Sequence, residues 1–219
     1  MTQRTNAVEK EPSVPVLVYL CADRFVTKQP FAVEGISVPC SKARVQRAEL
    51  AVQLFSSAFW SVRQQGLIHM ELVESRTVRR VFQRPEVRVV PLRRVERPGL
   101  EGAVIFNLHN EETVHDVICR WSELGSTDPW DDVVAECVRE AVSVGLIREV
   151  HGAGSGLMKF LGHHVGLEPD CGRITALRAR LQGLVSSWQD FERLEKPLHD
   201  GLTGQCKRSL AACTERWYS

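Results

Sequence analysis

The feature that most constrains the fold is a recurrence. Gly-Leu-Ile stands at 66–68 and again 79 residues later at 145–147, each time closing an apolar helical pattern. Before the first copy, Val45, Ala48, Val52, Phe55, Phe59 and Val62 step by three and four, which stacks them on one helix face. Ser41 is the expected N-cap of that helix. Gly66 is expected just past its end, where the left-handed conformation suits glycine. Ile68, Met70 and Leu72 then alternate with His69, Glu71 and Val73, the period of a strand with one buried face. Before the second copy, Asp128 is the expected N-cap, with Pro129 in the first turn and Asp131 and Asp132 at the positive end of the helix dipole. Val134, Cys137, Val138 and Ala141 carry the apolar stripe, Gly145 stops it, and Leu146 and Ile147 open a strand. A further helix is expected over 111–121, capped by Asn110.

A helix closed by glycine and followed by a strand that opens a hairpin is the layout of a winged-helix unit. The expected fold is therefore α+β, with two winged-helix-like units and a C-terminal α-helical hairpin. Any α+β domain can end helices this way, so duplication and independent occurrence both stay open. The expected boundaries are a disordered tail over 1–13, a first unit with an Arg-rich hairpin over 14–100, a second unit over 101–151, a flexible linker over 152–170 and the helical hairpin over 171–219. Val16 to Leu20 is too short a run to separate strand from helix. Pro30 and Pro39 bracket an extended piece, Phe31 to Val38.

In the last stretch, Ile174, Leu177, Leu181, Leu184, Trp188 and Phe191 form a narrow seam at heptad spacing. Pro197 interrupts it, and Leu198, Leu202, Cys206, Leu210, Cys213 and Trp217 continue on a second helix. The seam either covers the body of the chain or joins two copies as a coiled-coil homodimer.

Charge supplies the one anomaly. The chain carries a formal net charge of only +1, but Arg76, Arg79, Arg80, Arg84, Arg88, Arg93, Arg94 and Arg97 fall within 22 residues opposed by Glu86 and Glu96 alone. That segment is therefore +6 and the remainder −5. Val87 and Val89 flank Arg88, so part of the segment is expected as a strand with arginine on its solvent side. The planar guanidinium fork binds phosphate through two hydrogen bonds, which suits a nucleic-acid backbone. The same surface suits an acidic protein partner or an anionic membrane. A solvated basic edge that discourages strand pairing is the plainer alternative, since 22 of the 28 cations are arginine.

Several chemistries fail on spacing. Gly152-Ala-Gly-Ser-Gly156 has Leu157 where a dinucleotide fingerprint needs glycine, and no Gly-Lys-Ser/Thr follows. Ser155 lacks the flanking glycines of a nucleophile elbow, so a hinge is expected there. His163, His164, Asp170 and Cys171 have no companion Cys-x-x-Cys or His-x₃-His, and no metal or cofactor is expected. Asp131, Asp132 and Glu136 are explained by the helix start, and Trp121 and Trp130 by anchoring of the loop between them. No catalytic constellation results.

Composition bounds the class. Apolar residues at 43% and charged residues at 25% exclude wholesale disorder and fibrous folds. Seven cysteines, an odd count with no pair closer than seven residues, predict reduced thiols and a cytoplasmic protein. Residues 1–13 carry no signal-peptide pattern, and the apolar run Val14 to Ala22 is far short of the roughly 20 residues a spanning helix needs.

The order of a long helix ending in Gly-Leu-Ile, a basic hairpin region, then Glu112-Thr-Val ahead of Trp121, Trp130 and a second helix ending in Gly-Leu-Ile resembles the layout of the GPP34 family over about residues 42–150. That resemblance implies a peripheral membrane protein that binds phosphoinositide headgroups. Asp131 and Val134 stand where the family's arginines fall, and the C-terminal helices lack its apolar character. The expectation is thus a non-enzymatic binding, scaffold or regulatory protein that uses Arg76–Arg97 to contact nucleic acid or an acidic protein, with anionic lipid as the alternative.

Overall fold

The computed structural model describes residues 11–28, 35–73, 85–125, 128–151 and 165–217. It is α+β, with helices around three small antiparallel sheets. Helix α1 (Val14–Leu20) and a 3₁₀ turn (Ala22–Arg24) precede strands β1 (Gly35–Ser37) and β2 (Arg44–Gln46). Helix α2 (Arg47–Gln64) runs into β3 (Ile68–Val73), which pairs with β4 (Glu86–Pro91). Then come α3 (Gly99–Asn107), β5 (Glu112–Thr113), α4 (Val114–Ser122) and α5 (Pro129–Ser143). The paired strands β6 (Ile147–His151) and β7 (Val165–Pro169) follow, and α6 (Cys171–Arg180), α7 (Gln182–Leu194) and α8 (Lys196–Trp217) are the last of the described elements.

Helix α2 is the axis of the core. Leu50, Leu54, Phe55, Ala58, Phe59 and Val62 are wholly buried. Its apolar residues face several directions because α1, α3, α5 and α8 all pack on it. Ser57 and Ser61 are tolerated inside because both hydroxyls donate, to the Leu54 carbonyl at 2.8 Å and to Glu101 Oε1 at 2.7 Å.

The two Gly-Leu-Ile copies adopt the same local structure. Gly66 and Gly145 have φ of 65° and 71°, where any other residue is strained. Gln65, Gly66 and Leu67 N–H donate to Ser61, Arg63 and Val62; Val144, Gly145 and Leu146 donate to Glu140, Val142 and Ala141, the same partners 79 residues on. Each glycine leads into an antiparallel strand pair, opening with Ile68 opposite Pro91 and with Ile147 opposite Pro169.

Other boundaries differ from expectation. Ser41 does not cap α2: its Oγ accepts from Ala43 N–H in a turn, and Val45 lies in β2, paired with Ile36 and bridged to Lys28. Val45 is buried there, so the same apolar residue serves a strand instead of a helix face. The helix expected over 111–121 begins at Val114, because Thr113 and Asp116 form a reciprocal capping box and Glu112–Thr113 pairs with β4. Val14 to Leu20 is helical. The expected tail falls on 1–10, outside the described residues, and on 11–13, where Ser13 N–H and Oγ both donate to Glu140 at 2.9 and 2.8 Å. The last part of the expected linker, 165–169, is β7.

The expectation of reduced thiols holds for five of the seven cysteines and is corrected for two. Cys40 and Cys171 form a disulfide across 131 residues. Cys40 sits in a turn at φ 55° and Cys171 opens α6, which brings their Cα atoms to 5.4 Å, inside the range a disulfide spans.

Helices α6, α7 and α8 share the main core. Trp188 and Phe191 of α7 stack edgewise against each other at 5.8 Å, with Trp60 of α2 at 5.5 and 6.5 Å and His199 of α8 at 5.6 and 5.5 Å. Arg63 lies over the Phe191 ring and forms a two-pronged pair with Glu195, at 3.0 and 2.7 Å. Among the described residues, no helix is long and apolar enough to cross a membrane.

Candidate functional site

The β3–β4–β5 sheet sorts the arginines. Along β4, Val87 and Val89 point inward with no exposure, which aims Arg88 at solvent. There Arg88 is held by Glu71, its cross-strand neighbour on β3, at 3.3 Å and by Glu111 at 2.7 Å. Two carboxylates neutralise it, so it contributes little positive field beyond the sheet. After Pro91 the backbone leaves the ladder, and the N–H groups of Leu92 and Arg93 both turn back to the Leu67 carbonyl, at 2.9 and 3.1 Å. From 92 to 97 every residue is exposed. Arg94 donates to the His109 carbonyl at 3.3 Å. Arg93 and Arg97 have no acidic partner among the described residues. Leu92 and Val95 share this run at 57% and 41% exposure, and Phe106, in the last turn of α3, is 74% exposed. Arg76, Arg79, Arg80 and Arg84 lie outside the described residues. Arg93, Arg94 and Arg97 thus share one exposed run with Leu92, Val95 and Glu96, on a backbone outside the β3–β4 ladder.

The C-terminal seam is occupied from within. Ile174, Leu181, Trp188 and Phe191 are buried against the chain's own core. Leu177 and Leu184 are half-buried and line a cavity of about 520 Å³ together with Leu17, Val144, Leu146 and Arg173.

The carboxylates singled out by sequence have structural partners. Asp128 caps α5 by accepting from Trp130 N–H at 2.9 Å. Both carboxylate oxygens of Asp131 accept from Arg47 Nη1, at 2.9 and 2.8 Å, and Glu136 pairs with Arg139. Asp170 accepts from Arg173 N–H and caps α6. Trp121 packs edgewise on Phe55 at 5.0 Å, the anchoring expected of it. Gly152 to Gly156, Ser155, His163 and His164 fall outside the described residues. Among the described residues, no group of three or more His, Cys, Asp or Glu side chains is placed to hold a metal.

Two polar clusters were not singled out by sequence. In the first, Glu101 and Glu140 are buried at 4% exposure each and receive the start of α1. Ser13 donates twice to Glu140, and Val14 N–H donates to Glu101 at 3.2 Å. Burial pushes the Glu140 carboxyl up, against the hydrogen bonds from Ser13.

The second lies between α4 and α8. Cys119 Sγ and Cys213 Sγ are 3.5 Å apart, and the His115 ring stands 3.5 Å from Cys119 on the preceding turn of α4. His115 Nδ1 is hydrogen-bonded to Ser209 Oγ at 3.0 Å. The Cys119 hydrogen bond lowers the Cys213 thiol below its ordinary value, helped by Ser122 and Arg216 and opposed by burial and Glu123. Cys119 is the member that keeps its proton, for the same reason. His115 and Cys119 at i and i+4 were legible in the sequence as one helix face; Cys213, 94 residues on, was not.

The chain matches no protein-family model, no curated protein and no solved structure.

Proposed function

We propose that this chain is a non-enzymatic binding or scaffold protein whose Arg-rich surface over 76–97 contacts a polyanion, nucleic acid first and an acidic protein second. The observation that carries the reading is the exposed run at 92–97, where Arg93, Arg94 and Arg97 stand clear of the sheet while Arg88 is held by two glutamates. A cation already paired contributes little to binding; a solvated guanidinium can exchange water and counterions for phosphate. The finer fold reading belongs to the same proposal. The stretches 14–100, with α2, β3 and β4, and 101–151, with α5 and β6, are two winged-helix-like units, with the arginine run leaving the wing of the first. Its support is the matched hydrogen bonding at Gly66 and Gly145.

The test is binding of a fluorescent DNA duplex and a single strand at about 50 mM salt, comparing the parent chain with a variant carrying Arg93→Gln, Arg94→Gln and Arg97→Gln. Weaker binding by the variant supports the proposal, and absence of binding by the parent to both probes removes nucleic acid from it. Leu92 and Val95, exposed within the same run as these arginines, favour one second reading, attachment to an anionic membrane surface. Flotation with anionic but not neutral liposomes supports that reading, and equal recovery with both rejects it.

A further inference from the structure

We propose that Cys119 and Cys213 form a reactive dithiol between α4 and α8, a modification site for small disulfides of the glutathione class and for thiophilic reagents that bridge two sulfurs. The proposal rests on placement. Five cysteines are free, and these two have their sulfurs in contact at 3.5 Å. A disulfide needs about 2.05 Å, so side-chain rotation toward each other can close the bond without exchange of helix partners. Cys137, Cys206 and Cys213 are all buried, at 1%, 0% and 3% exposure, and Cys119 is half-buried; burial raises the thiols of Cys137 and Cys206, which have no second sulfur beside them. Cys213 borders a surface hollow of about 280 Å³ lined also by Ser122, Glu123 and Arg216, which gives a reagent a way in.

The surrounding groups divide the labour. Arg216, one helical turn beyond Cys213, favours its thiolate, and the Cys119 thiol, 3.5 Å away, can donate a hydrogen bond to it. The attack on a small disulfide R–S–S–R then runs in two displacements. Cys213 thiolate attacks one sulfur, the S–S bond breaks, and one RS⁻ leaves and takes up the proton that Cys213 had given to solvent. Cys119 next loses its proton to the His115 ring, 3.5 Å away, and attacks the Cys213 sulfur of the mixed disulfide. The second RS⁻ departs and takes that proton. Two protein thiols are oxidised to one disulfide, and one small disulfide is reduced to two thiols. The product would tie α4 to α8 covalently at a point where they already pack.

The test uses the full chain treated with oxidised glutathione, then alkylated, digested without reduction and read by mass spectrometry. The expected result is a linked peptide pair containing Cys119 and Cys213, two hydrogens lighter than the free peptides, with loss of two alkylatable thiols. In Cys119→Ser the adduct should stop at Cys213 as a stable mixed disulfide, and in Cys213→Ser the linked pair should vanish. As a second readout independent of either variant, the parent should bind one phenylarsine oxide per chain, released by a dithiol competitor and not by a monothiol. The proposal is overturned if Cys119 and Cys213 stay unlinked and alkylate as slowly as Cys137, or if the arsenical does not bind.

Discussion

Gln205 reaches from α8 across the core to β4, and removing its side-chain oxygen gives the most quantitative test of how the C-terminal helix supports the arginine-bearing sheet. Its Oε1 accepts from the Val87 N–H at 2.7 Å, both groups buried, 118 residues apart. Strand β5 pairs only with Arg88 and Val89, so Val87 has no ladder partner on that side. Replacing Gln205 with Leu keeps most of the volume but leaves a buried N–H without an acceptor. Such an orphan costs about 1–3 kcal/mol. The opposing gain, burial of an apolar side chain at a position 4% exposed, offsets part of this, so a net loss of about 1–2 kcal/mol is expected. Urea unfolding followed by tryptophan fluorescence reads the effect. With an m value of about 3 kcal/mol/M, the midpoint should fall by about 0.3–0.7 M at unchanged slope. An unchanged midpoint would refute the argument that α8 supplies the missing acceptor of β4.

Two other perturbations test the packing. The Glu140 carboxyl has its pKa raised by burial, so it favours folding most at low pH, and that contribution is lost as pH rises from about 4.3 through the folded value. Glu140→Gln should therefore be at least as stable as the parent near pH 7 by thermal unfolding, with the difference shrinking near pH 4; the opposite trend contradicts the burial argument. Trp188→Ala removes a side chain 6% exposed at the centre of the Trp60–Phe191–His199 cluster and should lower Tm by on the order of 10 °C at every protein concentration. A Tm of the parent that rises with concentration, read by the same scan, would instead assign the seam to contact between copies.

What was legible in the sequence was local. The alternation at Ile68–Val73 and Val87–Val89 gave the strands, and the glycines at 66 and 145 ended the helices where positive φ is observed. Helix α3 was not visible, since Gly99 and Gly102 open it and Ala103 to Phe106 is an apolar run without a helical period. The start of α2 was misplaced because Val45 fits the helical spacing equally well, and only pairing with Ile36 and Lys28 draws it into a strand. The clusters that join distant positions were invisible for a different reason. Cys40 with Cys171, Cys119 with Cys213 and Gln205 with Val87 are separated by 131, 94 and 118 residues, and no spacing rule reaches that far. For the arginines, sequence located the segment, and the structure distinguished Arg88, engaged by Glu71 and Glu111, from the solvated Arg93, Arg94 and Arg97.

The proposal that this solvated run meets a polyanion is tested most directly by the salt dependence of duplex binding. Each phosphate contact contributes about 0.9 to the slope of log K against log salt. Replacing Arg93, Arg94 and Arg97 by glutamine should reduce the parent's slope by about two to three, with affinity falling across unrelated sequences alike. Replacing Arg88, already engaged by two carboxylates, should change the slope by less than one. Equal slopes for the parent and the triple variant, or a larger effect from Arg88, would contradict the account.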